Sequence, residues 1–239
     1  MRTYQSVLFF ILALTLNSCL KEDDSSLLDY SKYNYFIFDD IDGWQFTPAN
    51  LPSDTSLYNE YEPSMFIQED WVVFSEDENA PTQTTGLVFS INNQDSTEVF
   101  PFIINKMTGL KPSTSYKVDL RTQFSPIVLN DVLLSDLNAN VKLGISTSQP
   151  TISDDNGILK PNFERATDLD NDKVILLDEI VFNPTNIEIS NLHTSEIYET
   201  LEIETDENGE FWLWIGIESS AYGKHGLFID DLAIFYKEL

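Results

Sequence analysis

The chain is short of several things: one cysteine, two histidines, nine glycines and only 13 lysines and arginines in 239 residues. One cysteine leaves neither an intramolecular disulfide framework nor a cysteine-based zinc site. The shortage of bases against 40 acids gives a net charge of −27. That field repels phosphate backbones and anionic head groups, and no basic stripe breaks it, so nucleic acid is excluded as a partner. Calcium and cationic partners remain compatible. Catalytic signatures are missing too: there is no G-x-S-x-G, no H-E-x-x-H and no phosphate-cradling glycine loop. His193 sits in a polar stretch and His225 follows Lys224, neither with a nucleophile beside it in sequence. Glu202 and Glu204 share a strand face, as a glycosidase pair would, but Leu201 and Ile203 mark that face as the wet side. The chain reads as a protein without catalytic function. What it has is 42% hydrophobic and 13% aromatic residues, enough for a packed core despite the charge.

Long apolar runs are also scarce. The clearest, Val7 to Leu16, follows Arg2 and is too short to span a bilayer as a mature helix. It has the layout of a signal peptide. Leu16-Asn17-Ser18-Cys19 at its end resembles the lipobox of bacterial lipoproteins. That resemblance implies that residues 1–18 are removed and that Cys19 is diacylated, anchoring the chain in place of a transmembrane helix. The plainer alternative is an ordinary signal peptide ending near a cysteine. Lys21-Glu22-Asp23-Asp24 then resembles the surface-export signal of Bacteroidota-type lipoproteins, although a solvated tether has the same composition. The expected layout is a signal peptide over 1–18, a lipidated cysteine and tether over 19–32, and one domain over 33–239. The expected location is the outer membrane, lipid-anchored and surface-exposed.

Beyond the tether, β-branched and aromatic runs alternate with Pro, Asn and Asp clusters. Strands are expected at Tyr33–Phe38, Trp71–Ser75, Gly86–Asn92, Val99–Asn105, Ser115–Phe124, Asn140–Ser146, Lys173–Phe182, Glu196–Glu204, Glu210–Glu218 and Leu227–Tyr236. Alternation is cleanest where Tyr116, Val118 and Leu120 oppose Lys117, Asp119 and Arg121. Residues 126–138 are the best candidate for a short helical turn. Residues 45–70 and 147–170 carry no firm strand signal and read as long functional loops or covers for a sheet face. Some ten strands without βαβ spacing predict an all-β, antiparallel two-sheet sandwich.

Three segments refine that prediction. Phe36 through acids to Gly43-Trp44 looks like the opening strand of secreted jelly-roll modules. Gly109-Leu110-Lys111-Pro112-Ser113-Thr114-Ser115-Tyr116-Lys117-Val118 resembles the G-L-x-P-x-T-x-Y-x-V signature of such sandwiches, with the Tyr116 hydroxyl free to bond nearby backbone. Gly226 to Leu232, with Ile229-Asp230-Asp231, resembles the closing strand of carbohydrate-binding, galactose-binding-like jelly rolls. Residues 86–118 and Thr205–Phe228 are also similar to a family of uncharacterised secreted bacterial proteins. That likeness departs after Phe124 and transfers no activity.

Two acidic clusters are candidate calcium sites. Asp168, Asp170 and Asp172 alternate, and Glu179 falls at the twelfth place, as in a calcium loop, although Lys173 stands where the loop needs glycine. The jelly-roll resemblance offers a second site, with Asp39 or Asp40 from the first strand and Asp230 or Asp231 from the last sharing a structural ion. For ligand binding, Trp212 and Trp214 oppose the core-facing Phe211, Leu213, Ile215 and Ile217 on one strand, and an open face there would offer stacking platforms for sugar. If the pair instead lies under the 45–70 segment, then Tyr58, Tyr61 and Trp71, with Tyr222, are the better ligand candidates. The expectation is a lipid-anchored, non-catalytic module that binds glycan, the alternative being a structural or adhesion lipoprotein that binds another protein.

Overall fold

A computed structural model describes residues 30, 32–41, 43–73, 82–95, 97–129, 137–165, 173–182 and 193–239. Its architecture is two antiparallel sheets facing one another, with one short helix among the described residues. Jelly-roll topology follows from the chain path, which crosses between sheets at almost every connection, so that neighbours in a sheet are rarely neighbours in sequence. One sheet runs β12 (His193–Glu204), β7 (Ser115–Leu129), β14 (Gly223–Glu238), β5 (Thr82–Asn93), β4 (Ser64–Val73). β1 (Lys32–Phe36) joins this six-stranded sheet by pairing with the second half of β14. The other, five-stranded sheet runs β11 (Val174–Phe182), β8 (Leu137–Ser146), β13 (Phe211–Ser219), β6 (Phe100–Met107), β2 (Gln45–Ala49).

The inner faces meet in one large core that includes Leu87, Phe89, Ile103, Val118, Leu120, Leu143, Leu213, Ile215, Leu232 and Ile234. Period-two alternation dictates it: Tyr116, Val118 and Leu120 are buried, as are Leu201 and Ile203, while Glu202 and Glu204 face water. The turn before β7 closes as its residues imply. The Lys111 N–H donates to the Tyr116 hydroxyl at 3.1 Å, and Thr205 Oγ1 donates to the Lys111 carbonyl at 2.7 Å. At the start of the sandwich Phe36, Phe38 and Trp44 pack as a ring cluster, with Trp44 edge-on to Phe36 at 5.5 Å.

The expectation that both stretches are loops or covers is corrected for 45–70, which supplies an edge strand to each main sheet, whereas 151–165 is a cover. Residues 45–70 contain β2, β3 (Leu51–Pro52), the helix α1 (Thr55–Glu60) and most of β4. β9 (Ile152–Asp155) and β10 (Ile158–Pro161) form a hairpin that pairs with β3 into a small third sheet. Short, polar and half-exposed, these strands lack the apolar alternation that reveals a strand. The helical turn expected within 126–138 is corrected where described: residues 126–129 and 137–138 are strand, and the rest lie outside the described residues. β-branched Ile127 and Val128 pair with β14, and that ladder overrides the local leucine spacing.

Candidate functional site

Each sheet has an outer face, and the two differ. On the five-stranded sheet, Phe100, Phe102 and Ile104 of β6 and Trp214 of β13 point outward. They do not reach water. Ile152 and Phe163 from the 151–165 segment pack on them, with the Phe163 ring 4.9 Å from Trp214 and 5.1 Å from Phe102. Arg165 fastens the far side. It pairs with Glu218 and, at 3.2 Å, with Glu98, and its guanidinium lies 5.0 Å over Phe100. Lys142 adds a nearly buried ion pair to Glu218 at 2.8 Å. Gly144 is required here, because a Cβ on it would come within 2.3 Å of the Trp214 indole.

Of the two alternatives for the tryptophan pair, an open face or a covered one, Trp214 takes the second. Trp214 is 1% exposed, and the segment over it is 151–165 rather than 45–70. Trp212 is half-buried, with Lys106 Nζ 5.8 Å from its ring centroid. Tyr61 is buried and Tyr58 half-buried, both packed with Leu51, Ile91 and Val99. Trp71 stacks on Phe228 at 5.3 Å, re-aimed by the bulge between Gln68 and Trp71. Of the six expected ligand residues only Tyr222, 52% exposed, presents most of its ring to solvent. These side chains lie on several different elements.

A concavity does exist on the outer face of the six-stranded sheet. It measures about 280 Å³ and is lined by Tyr33, Tyr35, Arg121, Asp231, Ala233 and Phe235. Register builds it. Tyr35 lies opposite Ala233, and Ala233 opposite Arg121; Tyr33 lies opposite Phe235, and Phe235 opposite Asp119. Two rows thus cross three strands, and the small Ala233 forms the floor between Tyr35 and Arg121. Tyr33 and Tyr35 are 68% and 55% exposed. Tyr30 backs the end of the site, its ring 5.3 Å from Phe235 and its hydroxyl bonded to Asp119.

The polar groups are held in place. The Tyr35 hydroxyl donates to Asp231 Oδ2 at 2.9 Å, and the Gln123 N–H donates to Asp231 Oδ1 at 3.2 Å. Partial burial, then the bond to Asp231, raises the Tyr35 hydroxyl above its ordinary value, so it remains a donor. A bulge in β14 between Ile229 and Asp231 sends the two consecutive acids different ways. Asp230 accepts from Thr84, and burial together with the adjacent Asp231 charge holds it above the usual carboxylate range, although the Thr84 bond opposes this.

The calcium expectations divide. First and last strands are neighbours, as a shared ion requires. Asp39 and Asp40 are exposed in the bend after β1, while Asp230 and Asp231 are engaged as above. Among the described residues no group of three or more His, Cys, Asp or Glu side chains is placed to hold a metal. Asp168, Asp170 and Asp172 lie outside the described residues, as does Cys19, and Glu179 is exposed within β11 opposite Asn140. Sequence reading missed Tyr33 and Tyr35 as site residues. The signal was present: Tyr33-Asn34-Tyr35-Phe36-Ile37-Phe38 is apolar in both phases, and only one phase can face the core.

The fold is an antiparallel two-sheet jelly-roll sandwich. An enzymatically active domain of a bacteriophage CBA120 tailspike protein is similar over 85% of this chain, which spans only 20% of that protein (10% identity, TM-score 0.34). A carbohydrate-binding module described for specific mannan recognition is similar over 87% of this chain and all of its own (11% identity, TM-score 0.35). A family 11 carbohydrate-binding module from Clostridium thermocellum, in complex with a β-1,3-1,4-mixed-linked tetrasaccharide, is similar over 84% of this chain and 94% of its own (11% identity, TM-score 0.32). No protein-family model matches the chain, and no curated protein does. At these TM-scores the likenesses carry no argument about this chain.

Proposed function

We propose that the protein is a non-catalytic module that binds glycan on the open outer face of its six-stranded sheet. The observation that carries this is the concavity around Ala233, where two exposed tyrosines stand beside a guanidinium and a pinned carboxylate. Tyrosine rings offer flat apolar area to the C–H face of a sugar, and Arg121 and Asp231 supply donors and acceptors for its hydroxyls. Titration with a panel of oligosaccharides tests it. Binding that falls about tenfold in Tyr33→Ala and Tyr35→Ala, with an unchanged melting temperature, supports the reading. Absence of binding to every member of the panel overturns it.

A protein partner is the second reading, favoured by Ile37 and Ile41, apolar residues that follow β1 in the chain and are 52% and 41% exposed. A specific protein captured by wild type and lost in Ile37→Asp, with no glycan bound, selects it. In either case the chain is held at the outer membrane surface by lipid on Cys19, a reading supported by the Leu-x-Ser-Cys pattern and the acidic tether. Cys19→Ala releases the protein from the membrane fraction if that holds; retention overturns it. A structural calcium between the first and last strands is supported by their pairing. It predicts a melting temperature that rises with added calcium and falls with chelator.

A further inference from the structure

We infer that this site takes a neutral sugar, one ring at a time, held through adjacent hydroxyls between Asp231 and Arg121. The inference rests on the glycan reading above and narrows it. Size comes first. At about 280 Å³ the concavity lies at the lower edge of the range ligand pockets occupy, roughly 300–1,000 Å³. Its floor is Ala233, with Tyr35 one strand away on one side and Arg121 one strand away on the other. Those walls stand about 10 Å apart, two strand spacings, which is the breadth of a single pyranose with its hydroxyls. Along the strands, the rings of Phe235 and Tyr30 close one end. Among the described residues this shape is a single concavity rather than an extended groove.

Charge then selects the chemistry. Each oxygen of Asp231 already accepts one hydrogen bond, from Tyr35 and from the Gln123 backbone, and each keeps a lone pair for a ligand. The carboxylate is fixed before any ligand arrives. Arg121 is exposed and forms no ion pair among the described side chains, which do not include that of Glu196 opposite it on β12, whereas Arg165 is tied to both Glu98 and Glu218. Arg121 lines the concavity one strand from Ala233, where its donors face a ligand seated there. The pair presents one acceptor and one planar donor, and neighbouring hydroxyls both donate and accept. A carboxylate-bearing sugar only accepts at its acidic group. It would satisfy Arg121, yet face Asp231 and the −27 net charge with like charge.

Methyl glycosides of glucose, galactose and mannose, each beside its methyl hexuronoside, test this by chemical-shift titration. Oligomers of two to six units of the sugar that binds complete the series. The expected result is a preference of at least about tenfold for the neutral member over its uronate. Affinity should grow along the oligomers no faster than the number of rings. Asp231→Asn narrows that preference towards equality, and Arg121→Gln weakens neutral binding about tenfold, with thermal melting unchanged in both. Uronate binding as tight as neutral binding overturns the inference and leaves the glycan reading standing, as does a gain of about tenfold per added ring. No binding of any glycoside or oligomer overturns both.

Discussion

β1 and β13 begin as the same kind of sequence and end differently. Tyr33 to Phe38 and Phe211 to Ile217 are both apolar in both phases of the strand, so each must bury one face in the core and find a use for the other. In β13 the second face is covered: Trp214 lies beneath Phe163, fastened by Arg165 and Glu218. In β1 the second face is open: Phe36 is buried, while Tyr33 and Tyr35 look outward over Ala233. A second apolar face is thus either a floor for another layer or a surface for a partner. What decides is the rest of the chain, here whether a segment such as 151–165 folds back over it.

That contrast has measurable consequences. The largest effect should come from the covered face. Trp214→Ala empties the contact with Phe100, Phe102 and Phe163 and should destabilise the fold by about 3–5 kcal/mol, read by urea denaturation. A loss below about 1 kcal/mol would mean the covering layer is loose. Next, Glu218→Ala strands Lys142 and Arg165, whose ion-pair partners among the described residues are Glu218 and, for Arg165, Glu98. It should cost about 3 kcal/mol and make the 151–165 segment more sensitive to protease. Protection unchanged from wild type would show that the aromatic contacts alone hold the cover.

His225 belongs to neither outer face and provides the common reference. It is buried, its Nδ1 is 3.0 Å from the Gly223 carbonyl, and burial lowers its pKa to about 4. A histidine held below its unfolded value of about 6.5 contributes full stability above that pH and loses it as pH falls towards 4. Denaturation at pH 7 and pH 5 should therefore differ by on the order of 2 kcal/mol from this residue, a slope that His225→Leu removes. An undiminished slope in the variant would assign the acid sensitivity elsewhere. The smallest stability effect is expected on the open face, where Tyr33→Ala should change folding by less than about 0.5 kcal/mol. A larger cost would mean that Tyr33 is packed rather than presented.

Much of the sandwich was legible because alternation is a local signal. Tyr116, Val118 and Leu120 announce their own inner face, and so do Leu201 and Ile203. The hairpin of β9 and β10 was not legible, since Ile152-Ser153-Asp154-Asp155 and Ile158-Leu159-Lys160-Pro161 are short, polar and ordered by pairing with each other and with Leu51. The site was half legible. Arg121 was read correctly as lying on the wet face of β7. Tyr33 and Tyr35 were hidden because β1 carries apolar side chains in both phases. Trp214 was read as a candidate platform because nothing near it in sequence shows that Phe163, some 50 residues earlier, covers it.

The central claim is that the open face of the six-stranded sheet binds and the covered face of the five-stranded sheet does not. Isothermal titration with the same neutral oligosaccharide into wild type, Tyr33→Ala/Tyr35→Ala and Trp212→Ala tests it directly. Binding lost in the double tyrosine variant and retained in Trp212→Ala, with both variants folded, is the expected result. Binding retained in the tyrosine variant and lost in Trp212→Ala would contradict it.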